Sequence, residues 1–260
     1  MYPSSIASYY NNPFYFHFRI KHLISELQLR GDEKILDVGC GDGRITAEIS
    51  QYLPQGYVVG IDCFPEIIEF AKSKFDRENY PNLDFQLGDA RNLEFEMSFD
   101  IIVSFEALHY IHDHIPVLTR FKKALKPSGK ILLSLLGEGS PTSIQFIAQE
   151  LLLHSKWQEL KKFRYGYYLS SEYREILTKV GFCTNSVEVV SYSISARSKR
   201  EVKQRIEKDW LSLTSRIPPE IYDIFIEDLV NAYMERNPPN QSGLILSEET
   251  RLEITAKNLP

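Results

Sequence analysis

The chain has 260 residues, with 30 Lys or Arg against 35 Asp or Glu, so its formal net charge is −5 at pH 7. Hydrophobic residues make up 43% and charged residues 25% of it, a balance that excludes wholesale disorder and fibrous structure. This length supports one large domain, or a domain with an appendage, with its own core. The mild acidity argues against a nucleic-acid partner, and we interpret the basic stretch 197–208 as a solvated helix face.

Nothing in the sequence predicts export or a membrane span. The most apolar stretch, Ile131 to Leu136, has the length of a strand, whereas a span needs about 20 apolar residues. The first residues lack the charged and apolar regions of a secretion signal. The cysteines Cys40, Cys63 and Cys183 form no CxxC pair, which disfavours disulfides and zinc. We therefore expect a cytoplasmic protein. We also expect either a monomer or a weak homodimer.

Strands and helices alternate through the first half of the chain. Apolar residues at helical spacing predict a leading helix from Phe14 to Leu29. Strands that alternate with helices form right-handed crossovers within one sheet. The sequence therefore predicts an α/β fold with a doubly wound, mostly parallel sheet of seven strands. The first five strands are predicted at 34–38, 57–61, 83–87, 99–105 and 130–136, with helices after 39–43, from 65 to 75 and from 113 to 125.

The second half of the chain departs from this alternation. Residues 143–163 and 199–234 have helical patterns, while 171–180 and 187–194 resume the order of helix and strand. These changes predict a ligand-binding core with inserts above the carboxyl ends of its strands. The predicted segments are an N-terminal helical lid (1–30), the core (31–139), a helical cap insert (140–168), a continuation of the core (169–196), a second helical insert (197–238) and a C-terminal edge strand (239–260).

The strongest motif is a glycine-rich turn after the first strand. Asp37 stands near the end of that strand, and Gly39, Gly41 and Gly43 follow at alternate positions. A dinucleotide fingerprint reads GxGxxG, because its third glycine lets the helix approach the sheet around a pyrophosphate. Arg44 occupies that third position here. The motif therefore favours a ligand without a pyrophosphate.

An acidic residue followed by GxGxG resembles the first motif of the class I S-adenosylmethionine-dependent methyltransferases. Further motifs follow in the family's order up to residue 136, and Lys126 to Gly129 is similar to the family's LKPGG turn, with Ser128 in place of one glycine. The resemblance implies the Rossmann-like methyltransferase fold, S-adenosylmethionine as cofactor, S-adenosylhomocysteine as product and no metal.

The resemblance also implies a set of cofactor contacts. Asp62 closes the second strand about 20 residues after the glycines, where a carboxylate can accept hydrogen bonds from both ribose hydroxyls. Cys63 and Phe64 would cover the adenine ring, and Asp89 would face its amino group. Backbone carbonyls near Gly39 and Phe105 would suit the ligand ammonium. The predicted cofactor-binding residues are Asp37, Gly39, Cys40, Gly41, Gly43, Asp62, Cys63, Phe64, Asp89, Ala90 and Phe105.

Within that superfamily, residues 104–110 (SFEALHY) look most like the branch of the trans-aconitate and juvenile hormone acid methyltransferases, which esterify a carboxylate. His109 matches this pattern, and Tyr110 stands where a Trp is usual. Both are predicted to be catalytic and to contact substrate. A carboxylate acceptor arrives ionised and needs only orientation, whereas a hydroxyl or amine needs a base, for which His109 is the candidate. The sequence leaves both roles open.

The remaining substrate contacts are predicted around an aromatic lid and the inserts. The apolar content of the inserts and the net charge favour an apolar or amphipathic acid over a tricarboxylate. The glutamine that some members carry in the leading helix is not evident, and Phe16 or His17 occupies that region. The predicted substrate-binding residues are Tyr10, Phe16, His17, His109, Tyr110 and Trp157.

We therefore expect an enzyme that methylates the carboxylate of a small molecule. The alternatives are a methyltransferase acting on an acyl carrier protein-bound acid or on a hydroxyl, amine or carbon acceptor, and a module that binds S-adenosylmethionine without catalysis. The run HxxHDH formed by His109, His112, Asp113 and His114 raises the alternative of a metal. These residues lie at a strand-to-helix turn, where their side chains need not converge. We interpret Asp113 as a helix N-cap and expect His112 and His114 to be solvated.

Overall fold

The computed structural model describes residues 21–22, 24–137, 139–162, 166–209 and 217–259. The strands are β1 (Lys34–Val38), β2 (Tyr57–Asp62), β3 (Leu83–Leu87), β4 (Phe99–Phe105), β5 (Leu125–Leu136), β6 (Phe182–Ala196) and β7 (Ile245–Asn258). The helices considered below are α1 (Arg44–Ser50), α2 (Pro65–Lys74), α3 (His114–Ala124), α4 (Ile144–Leu153), α5 (Ser170–Val180), α6 (Lys199–Asp209) and α7 (Pro219–Arg236).

The strands form one seven-stranded sheet in the order β3-β2-β1-β4-β5-β7-β6. The first five strands pair in parallel. Near one end of β5 the Gly137 N–H donates to the carbonyl of Thr250, and at the other end the Asn258 amide donates to the carbonyl of Leu125. These two contacts show that β7 runs antiparallel to β5. The predicted doubly wound, mostly parallel sheet is confirmed.

The strand order changes direction between β1 and β4. The chain moves outward from β1 to β3 and then returns to place β4 on the other side of β1. The register pairs Val38 with Ile61 and Asp37 with Val103, so the carboxyl ends of β1, β2 and β4 lie side by side. A parallel sheet of this kind opens a crevice for ligands at such a switch point.

Apolar side chains cover both faces of the sheet. Ile35 belongs to one buried cluster and its neighbour Leu36 to the other, as the alternation along a strand requires. Phe121 of α3 packs in the cluster with Leu36, and Ala47 of α1 packs in the cluster with Ile35. Burial on both faces explains why the parallel strands are nearly continuous apolar runs.

The chain divides into two compact units. Of the described residues, those from 21 to 136, 166 to 189 and 252 to 259 belong to the sheet unit, and those from 137 to 162 and 190 to 251 belong to the helical unit. Most residues of the two predicted inserts fall in the helical unit.

The helical unit has its own hydrophobic core. Trp157 is 4% exposed, and its ring meets that of Phe225 edge to face, with centroids 5.0 Å apart. Leu152, Ile206 and Leu229 belong to the same buried cluster. Packing within this unit accounts for these apolar side chains, so they are not by themselves evidence for an apolar substrate.

Three predicted strands differ from the structure, and one of them, β6, begins at Phe182 rather than at residue 187. Strand β5 begins at Leu125 rather than Lys130. Its pairing with β4 changes register between Phe99, which pairs with Leu125, and Ile101, which pairs with Lys130, and the predicted turn residues between these pairs are part of the strand. The C-terminal strand was predicted at an edge, which is wrong, since β7 lies between β5 and β6. The alternating pattern of β7 shows which of its faces is buried, but it does not show how many strands lie beside it.

Within the described residues, no helix is both long and apolar enough to cross a membrane.

Candidate active site at the carboxyl ends of the strands

The glycine-rich turn closes tightly over the end of β2. The backbone N–H groups of Gly39 and Cys40 both donate to the carbonyl of Ile61, at 2.8 and 2.9 Å. Gly39, Gly41 and Gly43 have φ values of 78°, 53° and 80°, in the left-handed region that favours glycine. A Cβ on Gly43 would lie 2.5 Å from Cζ of Phe85. The turn therefore needs glycine both for its backbone and for its packing.

Asp62 connects this turn to the start of α2. One carboxylate oxygen accepts a hydrogen bond from the Gly41 N–H at 3.2 Å, and the other accepts one from the Phe64 N–H at 3.1 Å. Burial raises the pKa of Asp62, while hydrogen bonds from Phe64, Gly41 and Cys63 oppose the rise. Each carboxylate oxygen has a second lone pair, so Asp62 can also accept hydrogen bonds from ligand hydroxyls.

Asp37 lies beneath the turn and is 2% exposed. The hydroxyl of Thr46 donates to it at 2.7 Å. Burial raises the pKa of Asp37 to about 7; the Thr46 hydrogen bond opposes this, and the negative charge of Asp62 adds to it. In the described part of the chain, neither Asp37 nor Asp62 has an ion-pair partner. This part of the site is therefore acidic, which suits a cationic ligand and disfavours a pyrophosphate.

Asp42 was not among the predicted site residues, although it stands between two glycines of the motif. It is buried, and its carboxylate binds Nε of Arg44 at 2.7 Å and Nζ of Lys74 at 3.3 Å. Arg44 begins α1 and Lys74 ends α2, so Asp42 ties both helices to the turn. Its position between two glycines of the GxGxG motif is the sequence signal that could have identified Asp42 as a site residue.

The third strand leads to Asp89, whose carboxylate is engaged by Arg91. The two side chains approach to 2.5 Å, and the Arg91 N–H also donates to Asp89 at 2.8 Å. The Arg91 hydrogen bond lowers the pKa of Asp89. Asp89 thereby caps the short 3₁₀ turn that begins with the buried residue Ala90. A ligand amino group at this place would share the carboxylate with Arg91.

The end of β4 carries local backbone strain. Phe105 is buried, and the next residue, Glu106, has a φ of 55° although it is not a glycine. The Glu106 N–H donates to the carbonyl of Ser134 in β5, which fixes this conformation. Non-glycine residues in this region are found where the surrounding structure holds them, often at functional sites. Directly after Glu106, the side chain of Ala107 lies against Gly39 of the glycine turn.

His109 lies in the 3₁₀ turn Leu108–Tyr110, directly after β4, and is 1% exposed. The backbone N–H of Leu136 donates to its Nδ1 at 3.4 Å, and its own carbonyl accepts from the Gly166 N–H at 2.9 Å. The half-buried ring of Tyr110 lies 4.2 Å from the imidazole, centroid to centroid. Because an N–H group can only donate, Nδ1 is the acceptor and a neutral ring carries its proton on Nε2.

The histidine run does not converge on one point. His114 was expected to be solvated, which is wrong: it is fully buried, with Nε2 at 2.8 Å from the carbonyl oxygen of Leu108 and Nδ1 at 3.1 Å from the hydroxyl of Tyr173. His112 is exposed, and Asp113 caps α3 by accepting from the Ile115 N–H as predicted. Among the described residues no group of three such side chains could hold a metal ion.

The other predicted contacts have different surroundings. Cys40 is buried in the turn, whereas Cys63 is exposed and Phe64 is 40% exposed at the start of α2. Trp157 packs in the core of the helical unit. Its contact with substrate remains a prediction. The predicted contacts Tyr10, Phe16 and His17 lie outside the described residues.

The fold and the site together define a class of protein. A doubly wound sheet presents GxGxG after β1, a carboxylate that closes β2 and a histidine after β4 at neighbouring strand ends. Asp37 and Asp62 lie on the first two of these strands, near the glycine turn. These are the features of a class I S-adenosylmethionine-dependent methyltransferase.

Comparison with known proteins agrees. The family model described as "Methyltransferase domain" matches residues 29–181, more than half of the chain. The chain belongs to this methyltransferase family.

Curated relatives align over different lengths. The protein 235L of Invertebrate iridescent virus 6 is 31% identical over 129 residues, which are 50% of this chain and 47% of that protein. Trans-aconitate 2-methyltransferase of Mycobacterium tuberculosis is 24% identical over 97% of this chain and 94% of its own. Juvenile hormone acid O-methyltransferase of Drosophila melanogaster is 26% identical over 80% of this chain and 73% of its own. This chain thus spans about half of the viral protein and most of the other two.

Solved structures share the fold. A Bacillus halodurans protein has a TM-score of 0.66 and 16% identity, covering 93% of this chain and 99% of its own. The phosphoethanolamine N-methyltransferase 2 of Haemonchus contortus, in complex with phosphomonomethylethanolamine and S-adenosylhomocysteine, has a TM-score of 0.63 and 20% identity, covering 98% of this chain and 57% of its own.

Proposed function

We propose that this methyltransferase transfers the methyl group of S-adenosylmethionine to the carboxylate of a small apolar or amphipathic acid. The observation that carries the proposal is the hydrogen bond from the Leu136 N–H to Nδ1 of His109. It occupies the nitrogen that a neutral imidazole would use to accept a proton. The ring then acts as a donor through Nε2, not as a base.

A donor suits a carboxylate acceptor better than it suits other acceptors. A carboxylic acid has an ordinary pKa near 4 and is ionised at neutral pH, so it needs no base. A hydroxyl or ammonium acceptor must lose a proton, for which a base within hydrogen-bond reach is required. Burial of His109 strengthens the donor role, because a hydrogen bond to an anion is stronger where water is excluded.

The cofactor supplies a methyl group already activated by a positive sulfur. A carboxylate oxygen forms a bond to the methyl carbon while the carbon–sulfur bond breaks and its electron pair remains on sulfur, giving a methyl ester and S-adenosylhomocysteine. The task of the protein is to hold the oxygen close and in line. Asp62 and the glycine turn would hold the cofactor, and His109 with Tyr110 would orient the acceptor.

Two further observations bear on the acceptor, the first on its carboxylate and the second on its charge. The relatives that align over most of the chain are named for trans-aconitate and juvenile hormone acid, and both names denote carboxylic acids. The segment 99–111 around His109 contains no Lys or Arg. A tricarboxylate requires several cationic partners, so an acid with one carboxylate and an apolar body is the better match.

The first experiment tests cofactor binding alone. Isothermal titration calorimetry with S-adenosylmethionine and S-adenosylhomocysteine should show one site per chain. Undetectable binding of both at millimolar concentration would refute the assignment of the site.

The second experiment tests the acceptor. The enzyme is incubated with S-adenosylmethionine and fatty, isoprenoid and tricarboxylic acids, each beside the primary alcohol and the amine with the same carbon chain. Mass spectrometry then follows the methyl product and S-adenosylhomocysteine. Methyl esters from the apolar acids, with no product from their alcohols or amines, are expected. Methylation of only the alcohols or amines would refute the proposal, and preference for the tricarboxylates would refute its apolar part.

A further inference from the structure

A chain of buried hydrogen bonds lies behind the turn that carries His109. The hydroxyl of Tyr173, in α5, is 3.1 Å from Nδ1 of His114, and Nε2 of His114 is 2.8 Å from the carbonyl oxygen of Leu108. Tyr173 and His114 are fully buried. Because a carbonyl oxygen can only accept, Nε2 carries the proton, Nδ1 accepts, and the Tyr173 hydroxyl donates. The direction of donation is therefore fixed, from Tyr173 to His114 and from His114 to Leu108.

The 3₁₀ turn that accepts the last of these hydrogen bonds has little stability of its own. Leu108–Tyr110 is a single 3₁₀ turn of three residues, and no side chain caps its N-terminus. One isolated turn fixes several backbone angles for very few hydrogen bonds. The Leu108 carbonyl accepts from both Ile111 N–H and His114 Nε2, so both of its lone pairs are used. Contacts from outside the turn must supply the rest of its order.

A second contact from outside the turn holds it at His109, the residue after Leu108. The Gly166 N–H donates to the carbonyl of His109 at 2.9 Å. A Cβ on Gly166 would overlap the carbonyl oxygen of Ile111 and would lie 2.6 Å from Nε2 of His114. The chain at Gly166 therefore packs directly against the imidazole of His114, and the two contacts support each other.

The surroundings keep His114 in the state that this arrangement needs. Burial lowers the pKa of His114 to about 4, although the carbonyls of Leu108 and Ile111 oppose the shift. The rings of Tyr168 and Tyr173 lie 4.8 and 5.6 Å from it, centroid to centroid. The imidazole is thus neutral at neutral pH and is confined by two aromatic rings.

We propose that His114 and Tyr173 are positioning residues for methyl transfer, which set the orientation of the His109 imidazole by holding the Leu108 carbonyl. The proposal rests on the role of His109 in the proposed function. Neither residue needs to touch the cofactor or the acceptor. A displacement of His109 by a fraction of an ångström would misplace its Nε2 donor, and small misplacements of this kind cost large factors in rate.

The first test observes His109 directly and needs no acceptor. In the full-length protein with ¹⁵N-labelled histidine, nuclear magnetic resonance reports which ring nitrogen of His109 carries the proton. We expect one Nε2-protonated form in the wild type. In Tyr173→Phe, which removes the hydroxyl and keeps the ring, the His109 signals should shift and broaden toward an average of both forms.

Matched variants separate positioning from a general loss of packing. Tyr233→Phe removes another buried hydroxyl, which donates to Ser247 at 2.6 Å in the helical unit, and should leave the His109 signals unchanged. His114→Gln places an amide donor near the former Nε2 and should retain more of the wild-type signal than His114→Leu. Unchanged His109 signals in a folded Tyr173→Phe protein would overturn the proposal.

A double-mutant cycle then tests whether the effect on rate passes through His109. With an acid that is turned over, Tyr173→Phe should lower kcat by about tenfold, with the Kd for S-adenosylmethionine unchanged, but should have almost no effect in a His109→Ala background. An equal loss in both backgrounds would refute positioning and leave the proposed function intact. A His109→Ala enzyme as active as the wild type would instead refute the role of His109, and the positioning proposal with it.

Discussion

The side chain of Ala107 occupies the space that a Cβ on Gly39 would need. Gly39 follows β1 and Ala107 follows β4, so the glycine turn and the turn that carries His109 touch at this point. The contact joins the two halves of the proposed site, the part that would hold the cofactor and the part that would hold the acceptor. It also gives the first glycine of the motif a packing reason in addition to its positive φ.

We therefore expect Gly39→Ala to weaken S-adenosylmethionine binding strongly and to destabilise the fold. Gly243→Ala is the matched control, because Gly243 has a φ of 77° against 78° for Gly39, and nothing lies near its absent Cβ. The backbone strain is then the same, and the clash should cost Gly39→Ala about 2 kcal/mol more in urea unfolding. Adding Ala107→Gly should recover most of that difference. Equal unfolding free energies for the two single variants would contradict the contact.

Asp62 should contribute to both the turn and the cofactor site. Asp62→Ala removes the acceptor for two backbone N–H groups and for the ligand hydroxyls, and unpaired groups of this kind cost about 1–3 kcal/mol. We expect titration calorimetry to show a correspondingly weaker Kd for S-adenosylmethionine, with a smaller loss for Asp62→Asn, which keeps one acceptor oxygen. Asp223→Ala, at an exposed position on α7, serves as the control. Unchanged affinity in Asp62→Ala would remove this residue from the site.

The buried carboxyl of Asp37 should make stability depend on pH. Its pKa is raised to about 7, mainly by burial, whereas an unfolded chain has an Asp pKa of about 4. The folded state therefore binds the proton of Asp37 more tightly than the unfolded state does. The stabilisation from this protonated carboxyl is complete below pH 4 and is lost as the pH rises through about 7. Each pKa unit corresponds to about 1.4 kcal/mol.

Asp37→Asn should consequently be more stable than the wild type at pH 8 and nearly equal to it at pH 4.5, as measured by urea unfolding. Asp100→Asn should be less stable than the wild type throughout this pH range, and that difference should shrink only below about pH 4. Burial acts against it, but Lys126 and the Lys34 N–H hold the pKa of Asp100 below its ordinary value, so its stabilisation is present at neutral pH and is lost in acid. Wild-type and Asp37→Asn stabilities that run parallel across this pH range would show that Asp37 does not titrate as described.

Local patterns predict most of the core of this fold. The bounds of β1, β3 and β4 are those predicted, because each strand is a short apolar run between turn residues. The glycine-rich turn after β1 and the position of Asp62 at the end of β2 are likewise visible in the sequence. Their positions depend on neighbours within about 25 residues, which the sequence displays directly.

Features set by distant residues could not be predicted in this way. His114 stands in a polar run, and its burial depends on Tyr173, 59 residues later. The neighbours of β7 depend on how β5 and β6 pair with it, while its alternation shows only which face is buried. The role of Asp42 depends on Lys74, which reaches it from the far end of α2. Each case involves a polar side chain or a strand edge whose partner is distant in sequence.

The decisive question at the site is whether His109 donates a hydrogen bond or accepts a proton. Its Nδ1 already accepts from the Leu136 N–H, so catalysis by donation requires only a donor at Nε2. His109→Gln places an amide nitrogen near Nε2, whereas His109→Asn places its amide near Nδ1. If the imidazole orients a carboxylate, Gln should retain part of kcat, and Asn should lose about as much as Ala, in the range of 10- to 1000-fold.

The measurement is the rate of S-adenosylhomocysteine formation with an acid that gives a methyl ester, together with the Kd for S-adenosylmethionine, which should change little in all three variants. His112→Ala removes an exposed imidazole three residues away and should match the wild type. If the imidazole were instead a base, Gln, Asn and Ala would be equally inactive, because an amide cannot take the proton. That result would favour a hydroxyl or amine acceptor over a carboxylate.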